Sequence, residues 1–210
     1  VIGPGLYLVL TNPVAGHERC TEAAVAEGVA AVQLRMKDAP RAEVLRVGRR
    51  LRVITRGTAT RFVVNDDPVA AAELEADGVH LGQGDLPVAE ARRLLPAGAL
   101  VGLSTHDEAQ AARAAALAPD YVGVGPIWAT PTKRVPDPVL GLERAARIAR
   151  SVSLPAVGIG GVDAARLPAV LAAGLERFAV VRHVCASPDP RAAIAELMRI
   201  WREARGRREA

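Results

Sequence analysis

Aromatic residues are scarce in this 210-residue chain, with two each of Trp, Tyr and Phe. A core at that length therefore rests on Val, Leu, Ile and Ala, the residues that parallel strands covered on both faces use. Base stacking on interleaved aromatics, the usual platform for single-stranded nucleic acid, has almost nothing to work with. Cysteine is equally sparse: Cys20 and Cys185 stand in no CxxC or CxxH spacing, which argues against a zinc site or a redox dithiol. No apolar run approaches the roughly 18 residues that cross a bilayer, and no charged segment precedes an apolar signal core at the N-terminus. The expectation is one domain over residues 1–210, soluble and cytoplasmic, with no membrane and no nucleic-acid partner. A homo-oligomer is left open.

Lysine is the next shortage. Of 27 basic residues only Lys37 and Lys133 are lysines, and Asn12 and Asn65 are the only asparagines. Where arginine has replaced lysine almost everywhere, a surviving lysine suggests a need for a compact point charge, the form that suits a phosphate oxygen. The net charge of +4 is spread over helical stretches and the tail, which fits a basic surface or a small anionic ligand. Arg199, Arg202, Arg205, Arg207 and Arg208 sit on and beyond the last helix, where cations complement its C-terminal dipole.

What is present is an alternation. Eight short apolar runs, at 6–10, 31–34, 62–64, 78–81, 100–103, 121–124, 155–159 and 178–181, are separated by stretches of Ala, Leu, Glu and Arg with helical composition. The clearest helical stretches are 21–27, 41–54, 87–95, 108–117, 142–151, 164–173 and 190–204, with Pro68 opening a shorter one. Eight strands alternating with helices predict a single (β/α)8 barrel, and about 200 residues is the lower end for that fold. A doubly wound open sheet is the alternative. The connection from Gly125 to Gly141, with four prolines and no helical pattern, is long enough to imply function or mobility.

Barrel sites are built where strands end. After the third and fourth strands stand Asn65-Asp66 and Gln83-Gly84-Asp85, so Asp66 and Asp85 fall past the same ends of neighbouring strands and could share one divalent cation. Oxygen-only ligands suit Mg²⁺, which takes its remaining ligands from water and substrate phosphates. Gln33, Arg35 and Lys37 alternate at period two and share one direction, the barrel interior. Unpaired charge is costly there, so Arg35 and Lys37 imply an anionic ligand or an ion pair with Asp66. If about a fifth of the residues line the mouth, both lysines fall there by chance about one time in twenty-five.

Gly158-Ile159-Gly160-Gly161 closes the seventh strand and offers unobstructed backbone N–H groups where barrels commonly hold phosphate. Ser104 and His106 lie side by side on one extended segment and do not converge as a nucleophilic pair, so Ser104 reads as a hydrogen-bonding group for a ligand. His80, inside a strand, reads as structural.

Taken together, Gln33-Leu34-Arg35-Met36-Lys37, Val64-Asn65-Asp66-Asp67, the stretch from Ala76 to Asp85, Gly125-Pro126-Ile127-Trp128-Ala129-Thr130-Pro131-Thr132-Lys133 and Gly158-Ile159-Gly160-Gly161 closely resemble the thiamine phosphate synthase family from about Leu6 to Val181. The resemblance implies a (β/α)8 transferase that joins 4-amino-2-methyl-5-hydroxymethylpyrimidine diphosphate to a thiazole phosphate with loss of pyrophosphate. It implies that Gln33, Arg35, Lys37, Asn65, Ser104 and Lys133 hold the pyrimidine diphosphate, with Arg35, Lys37, Ser104 and Lys133 as catalytic groups. Asp66 and Asp85 would place Mg²⁺. Thr130, Thr132, Gly160, Gly161, Val181 and Arg182 would hold the thiazole phosphate. One departure stands out: the family usually has serine where this chain has Arg182. The related thiazole tautomerases carry histidine at the position of Pro126, and with a silent phosphate-binding paralogue they form the alternative readings.

Overall fold

Eight strands and nine helices occur among the residues, 1–132 and 137–209, that the computed structural model describes. In chain order they are β1 (Gly5–Leu10), α1 (His17–Ala26), β2 (Ala31–Leu34), α2 (Arg41–Thr55), β3 (Arg61–Asn65), α3 (Pro68–Glu73), β4 (Gly78–Leu81), α4 (Val88–Leu94), β5 (Leu100–Thr105), α5 (Glu108–Leu117), β6 (Tyr121–Val124), α6 (Leu142–Ser151), β7 (Ala156–Gly158), α7 (Leu167–Ala172), β8 (Arg177–Val180), α8 (Arg182–Cys185) and α9 (Pro190–Glu209). All neighbouring strands pair in parallel, and β8 pairs back onto β1 through Gly5↔Arg177 and Leu8↔Val180, so the sheet closes into the expected barrel and the open sheet is set aside.

The period-two alternation of the strands divides the apolar residues into two cores. Leu6, Leu8, Leu10, Val32, Leu34, Phe62 and Val64 point outward beneath the helices. Tyr7, Val9, Ala31, Val63, Leu100, Tyr121, Val157 and Ala179 point inward and fill the barrel. Both tyrosines of the chain are thus spent inside the barrel, where a ring needs a partner for its hydroxyl.

Side-chain caps mark the starts of α3 and α5. Asp67 and Asp107 accept hydrogen bonds from Ala70 N (2.9 Å) and Gln110 N (2.7 Å), capping α3 and α5. The expected start of α7 at Ala164 is displaced to Leu167: Asp163 Oδ1 accepts from Arg166 N (2.9 Å) and holds a turn first, and Pro168 then takes a first-turn position. α8 was not anticipated, because four residues are too few for a helical period to register. α9 continues five residues past Ala204 and packs against α1 and α7. Arg199 pairs with Glu203 at 2.7 Å and Arg202 donates to the Glu27 carbonyl at 2.9 Å, so these tail arginines are occupied by the protein itself.

Candidate active site

The ends of β3 and β4 form one wall of the barrel mouth. Asn65 closes β3 opposite His80, and the Asp66 N–H donates to the His80 carbonyl at 2.8 Å. Asp66 adopts φ 64°, a left-handed conformation that Asp tolerates better than most residues, and this turns its carboxylate back over the mouth. Asp85 Oδ2 accepts the Gly82 N–H at 2.6 Å. Burial raises the Asp85 carboxyl above its ordinary range, and the adjacent Asp66 carboxylate raises it further. Lys37 Nζ reaches Asp66 Oδ2 at 3.0 Å.

The two readings of the inward-facing cations therefore divide between them. Lys37 takes the ion pair with Asp66. Arg35 is half-buried, burial lowers its pKa against the pull of Asp66 and Asp38, and no carboxylate among the described residues reaches salt-bridge distance. A desolvated guanidinium without a direct counter-ion is a site for an anion.

Across the mouth stand the ends of β7 and β8. Gly160 and Gly161 have φ of 103° and 69°, and a Cβ at Gly160 would lie 2.6 Å from Pro126 Cα. Glycine is thus required by the close approach of the β6–α6 connection. Ile127 N and Trp128 N donate to Ile159 O (2.8 Å) and Gly160 O (3.0 Å), tying that connection to the glycine turn. Arg166 donates to the Gly161 carbonyl at 2.7 Å with its guanidinium carbon 5.1 Å from the Trp128 ring centroid. Thr130 and Thr132 join their hydroxyls at 3.0 Å. Val181 precedes α8 and Arg182 begins it; Arg182 has no ion-pair partner among the described residues.

The floor between the walls is polar. Ser104 Oγ lies 3.0 Å from His80 Nε2, so the histidine that serves Ser104 is His80, not the neighbouring His106. His106 Nδ1 donates to the Gly125 carbonyl at 2.7 Å, while its Nε2 faces Asp137 at 3.5 Å. Burial depresses the His80 pKa to about 4 and leaves the ring neutral at pH 7.

Gln33, Arg35, Lys37, Asn65, Asp66 and Asp85 line a single cavity of about 780 Å³, as do Ser104, Thr130, Thr132, Gly160, Gly161, Val181 and Arg182. That volume is of the size that encloses small ligands. Lys133 lies outside the described residues. Tyr7, Tyr121, His80 and Arg166 also line the cavity and were not expected as site residues. The Arg166 cation over the Trp128 ring has no signature in sequence spacing, because the two come from different connections.

No cluster of three or more His, Cys, Asp or Glu side chains among the described residues forms a metal cage. Two hard carboxylates pressed together at an open mouth nevertheless match the needs of Mg²⁺, which keeps waters and takes substrate phosphate oxygens for the rest of its octahedron.

A (β/α)8 barrel with cations and a glycine turn facing one another across its mouth defines an enzyme that handles small anionic substrates. The family model described as thiamine monophosphate synthase matches residues 6–184, and the chain belongs to that family. The thiamine-phosphate synthase of Laribacter hongkongensis is 44% identical over 94% of this chain and 95% of its own. That of Gloeobacter violaceus is 48% identical over 88% of this chain, which spans about half (54%) of that relative's length. Among solved structures, thiamine phosphate pyrophosphorylase from Pyrococcus furiosus superposes with a TM-score of 0.86 at 33% identity, covering 95% of this chain and 96% of that one.

Proposed function

We propose that the chain joins 4-amino-2-methyl-5-hydroxymethylpyrimidine diphosphate to 4-methyl-5-(2-phosphoethyl)thiazole, giving thiamine phosphate and pyrophosphate. The observation that carries the reading is the division of one cavity into two anion-holding walls: Asp66, Asp85, Lys37 and the unpaired Arg35 on one, the Gly160-Gly161 turn and the unpaired Arg182 on the other. Two phosphorylated substrates need two such walls, and their organic rings then meet over the floor.

The chemistry needs no protein nucleophile. The Ser104 hydroxyl is engaged by His80, and both cysteines are buried outside the cavity. Breaking the bond between the pyrimidine methylene and its diphosphate builds negative charge on the departing group, which Arg35 and Lys37 stabilise. Mg²⁺ bound by Asp66 and Asp85 would supply further neutralisation of that diphosphate. The pyrimidine cation so formed is captured by the thiazole nitrogen, held in line by the opposite wall, in a dissociative substitution. The β6–α6 connection, carrying Thr130 and Thr132, would exclude water from the cation. Free buried cysteines suit a reducing compartment, the cytoplasm.

The test is pyrophosphate release with both precursors and Mg²⁺ present and with each omitted in turn. Release that requires all three supports the proposal, and no release under any condition refutes it.

A further inference from the structure

A continuous line of polar groups crosses the cavity floor. Gln33 Nε2 donates to the Tyr7 hydroxyl at 2.9 Å. The Tyr7 and Tyr121 hydroxyls are 2.8 Å apart, Tyr121 OH is 3.2 Å from His80 Nδ1, and His80 Nε2 is 3.0 Å from Ser104 Oγ. Four strands contribute side chains to it from β1, β4, β5 and β6, with Gln33 added by β2. Gly102 leaves the room it needs: a Cβ there would come within 2.5 Å of both His80 Nδ1 and the Tyr121 hydroxyl oxygen.

Proton counting gives the line a direction. Each phenol carries one proton, and burial keeps both phenols protonated. The neutral imidazole also carries one. Because Tyr7 accepts from Gln33, its own proton goes to Tyr121. Tyr121 then donates to His80 Nδ1, leaving the imidazole proton on Nε2, directed at Ser104. Ser104 accepts that proton's hydrogen bond, and its own hydroxyl proton is left for the cavity. At the other end, Gln33 has turned its amide nitrogen to Tyr7 and keeps Oε1 as an acceptor.

We infer that Tyr7, Tyr121 and His80 are positioning residues that hold Gln33 and Ser104 in opposite hydrogen-bonding polarity, so that the floor accepts at Gln33, donates at Ser104 and selects an aminopyrimidine over its oxo counterpart. This rests on the pyrimidine reading above. An aminopyrimidine offers an exocyclic N–H to the acceptor and a ring-nitrogen lone pair to the donor. Replacing the amino group by an oxo group exchanges donor and acceptor on that edge. The oxo ring fits only if the Gln33 amide and every link of the line reverse together, or if one buried end goes unpaired, which the pairing rule for buried groups penalises. Hydrogen-bonding sites discriminate in this way against analogues that lack the matching group.

Two readouts test the inference without requiring turnover. Imidazole ¹⁵N chemical shifts of the assigned His80 in the wild-type protein report its tautomer. The Nε2–H form is expected, and an Nδ1–H or doubly protonated ring at pH 7 overturns the proposal. Calorimetric affinities of the 4-amino-5-hydroxymethyl-2-methylpyrimidine and its 4-oxo analogue are then compared in the wild type and in Tyr121→Phe, which cuts the line at its centre. With the ends uncoupled, the preference for the amino ring is expected to fall roughly tenfold, the loss of about one matched hydrogen bond. Equal loss of affinity for both rings, with the preference kept, would mean that Tyr121 only supports the fold. Failure of the synthase reading would appear instead as absent pyrophosphate release by the wild type, with the tautomer result unaffected.

Discussion

The carboxyl groups of Asp66 and Asp85 meet across the ends of β3 and β4, and Asp85 is held above the ordinary carboxylate range by its burial and then by this neighbour. Like charges brought together in a folded protein destabilise it, and a binding site that stores such repulsion is stabilised when one charge is removed. Asp85→Asn is therefore expected to raise Tm by a few degrees in metal-free buffer, while Asp85→Ala loses Mg²⁺-dependent turnover by about a hundredfold or more. Thermal melts with and without Mg²⁺, beside pyrophosphate release, check both statements. A lower Tm for Asp85→Asn would show that the pair is not repulsive.

Arg182 lines the cavity together with the glycine turn and has no ion-pair partner among the described residues. If it holds the thiazole phosphate, Arg182→Ser raises the KM for that substrate by about tenfold, in keeping with one charge-assisted contact. The KM for the pyrimidine diphosphate stays within about twofold. An unchanged thiazole phosphate KM would contradict the contact.

The glycine turn gives a stability prediction. Gly160→Ala adds a Cβ 2.6 Å from Pro126 Cα at φ 103° and is expected to destabilise by on the order of 3 kcal/mol. Gly174→Ala, at φ 91° with no neighbour within 4 Å, carries the backbone strain alone, on the order of 1 kcal/mol. Denaturant melts of the two variants separate clash from strain; equal losses would remove the packing role assigned to Gly160.

His80 fixes a pH dependence. Its pKa falls from 6.5 to about 4 on folding, chiefly through burial. Between those values the unfolded chain binds the proton and the native chain does not, so stability declines as pH drops from 6.5 toward 4 and its His80 component levels off below. The full effect is on the order of 3 kcal/mol. Urea unfolding across that range measures it, and in His80→Gln the slope should shrink by about one proton. An unaltered slope would place the titration elsewhere.

Much of this was legible in sequence because the barrel announces itself by repetition. Eight apolar runs, each closed by polar residues, located the mouth. The side chains predicted to form the site, from Gln33 to Arg182, line one cavity, apart from Lys133, which lies outside the described residues. The floor was not legible. Tyr7 and Tyr121 are 114 positions apart and meet only because the sheet closes, and His80 looked structural because its partner, Ser104, stands on the next strand. Arg166 was hidden for a similar reason: its partners Gly161 and Trp128 belong to two connections that the glycine turn brings together. Spacing along a chain reports faces of a strand or helix, whereas contacts across a barrel depend on register that only closure sets.

The proposed reaction requires one cavity to hold both of its halves. Difference electron density from crystals grown with thiamine phosphate, pyrophosphate and Mg²⁺ tests this most directly. The prediction is pyrophosphate against Arg35 and Lys37, a metal between Asp66 and Asp85, and the product phosphate at Gly160-Gly161 and Arg182. Density for the product phosphate anywhere else, or Arg182 folded into an empty phosphate site, would contradict it.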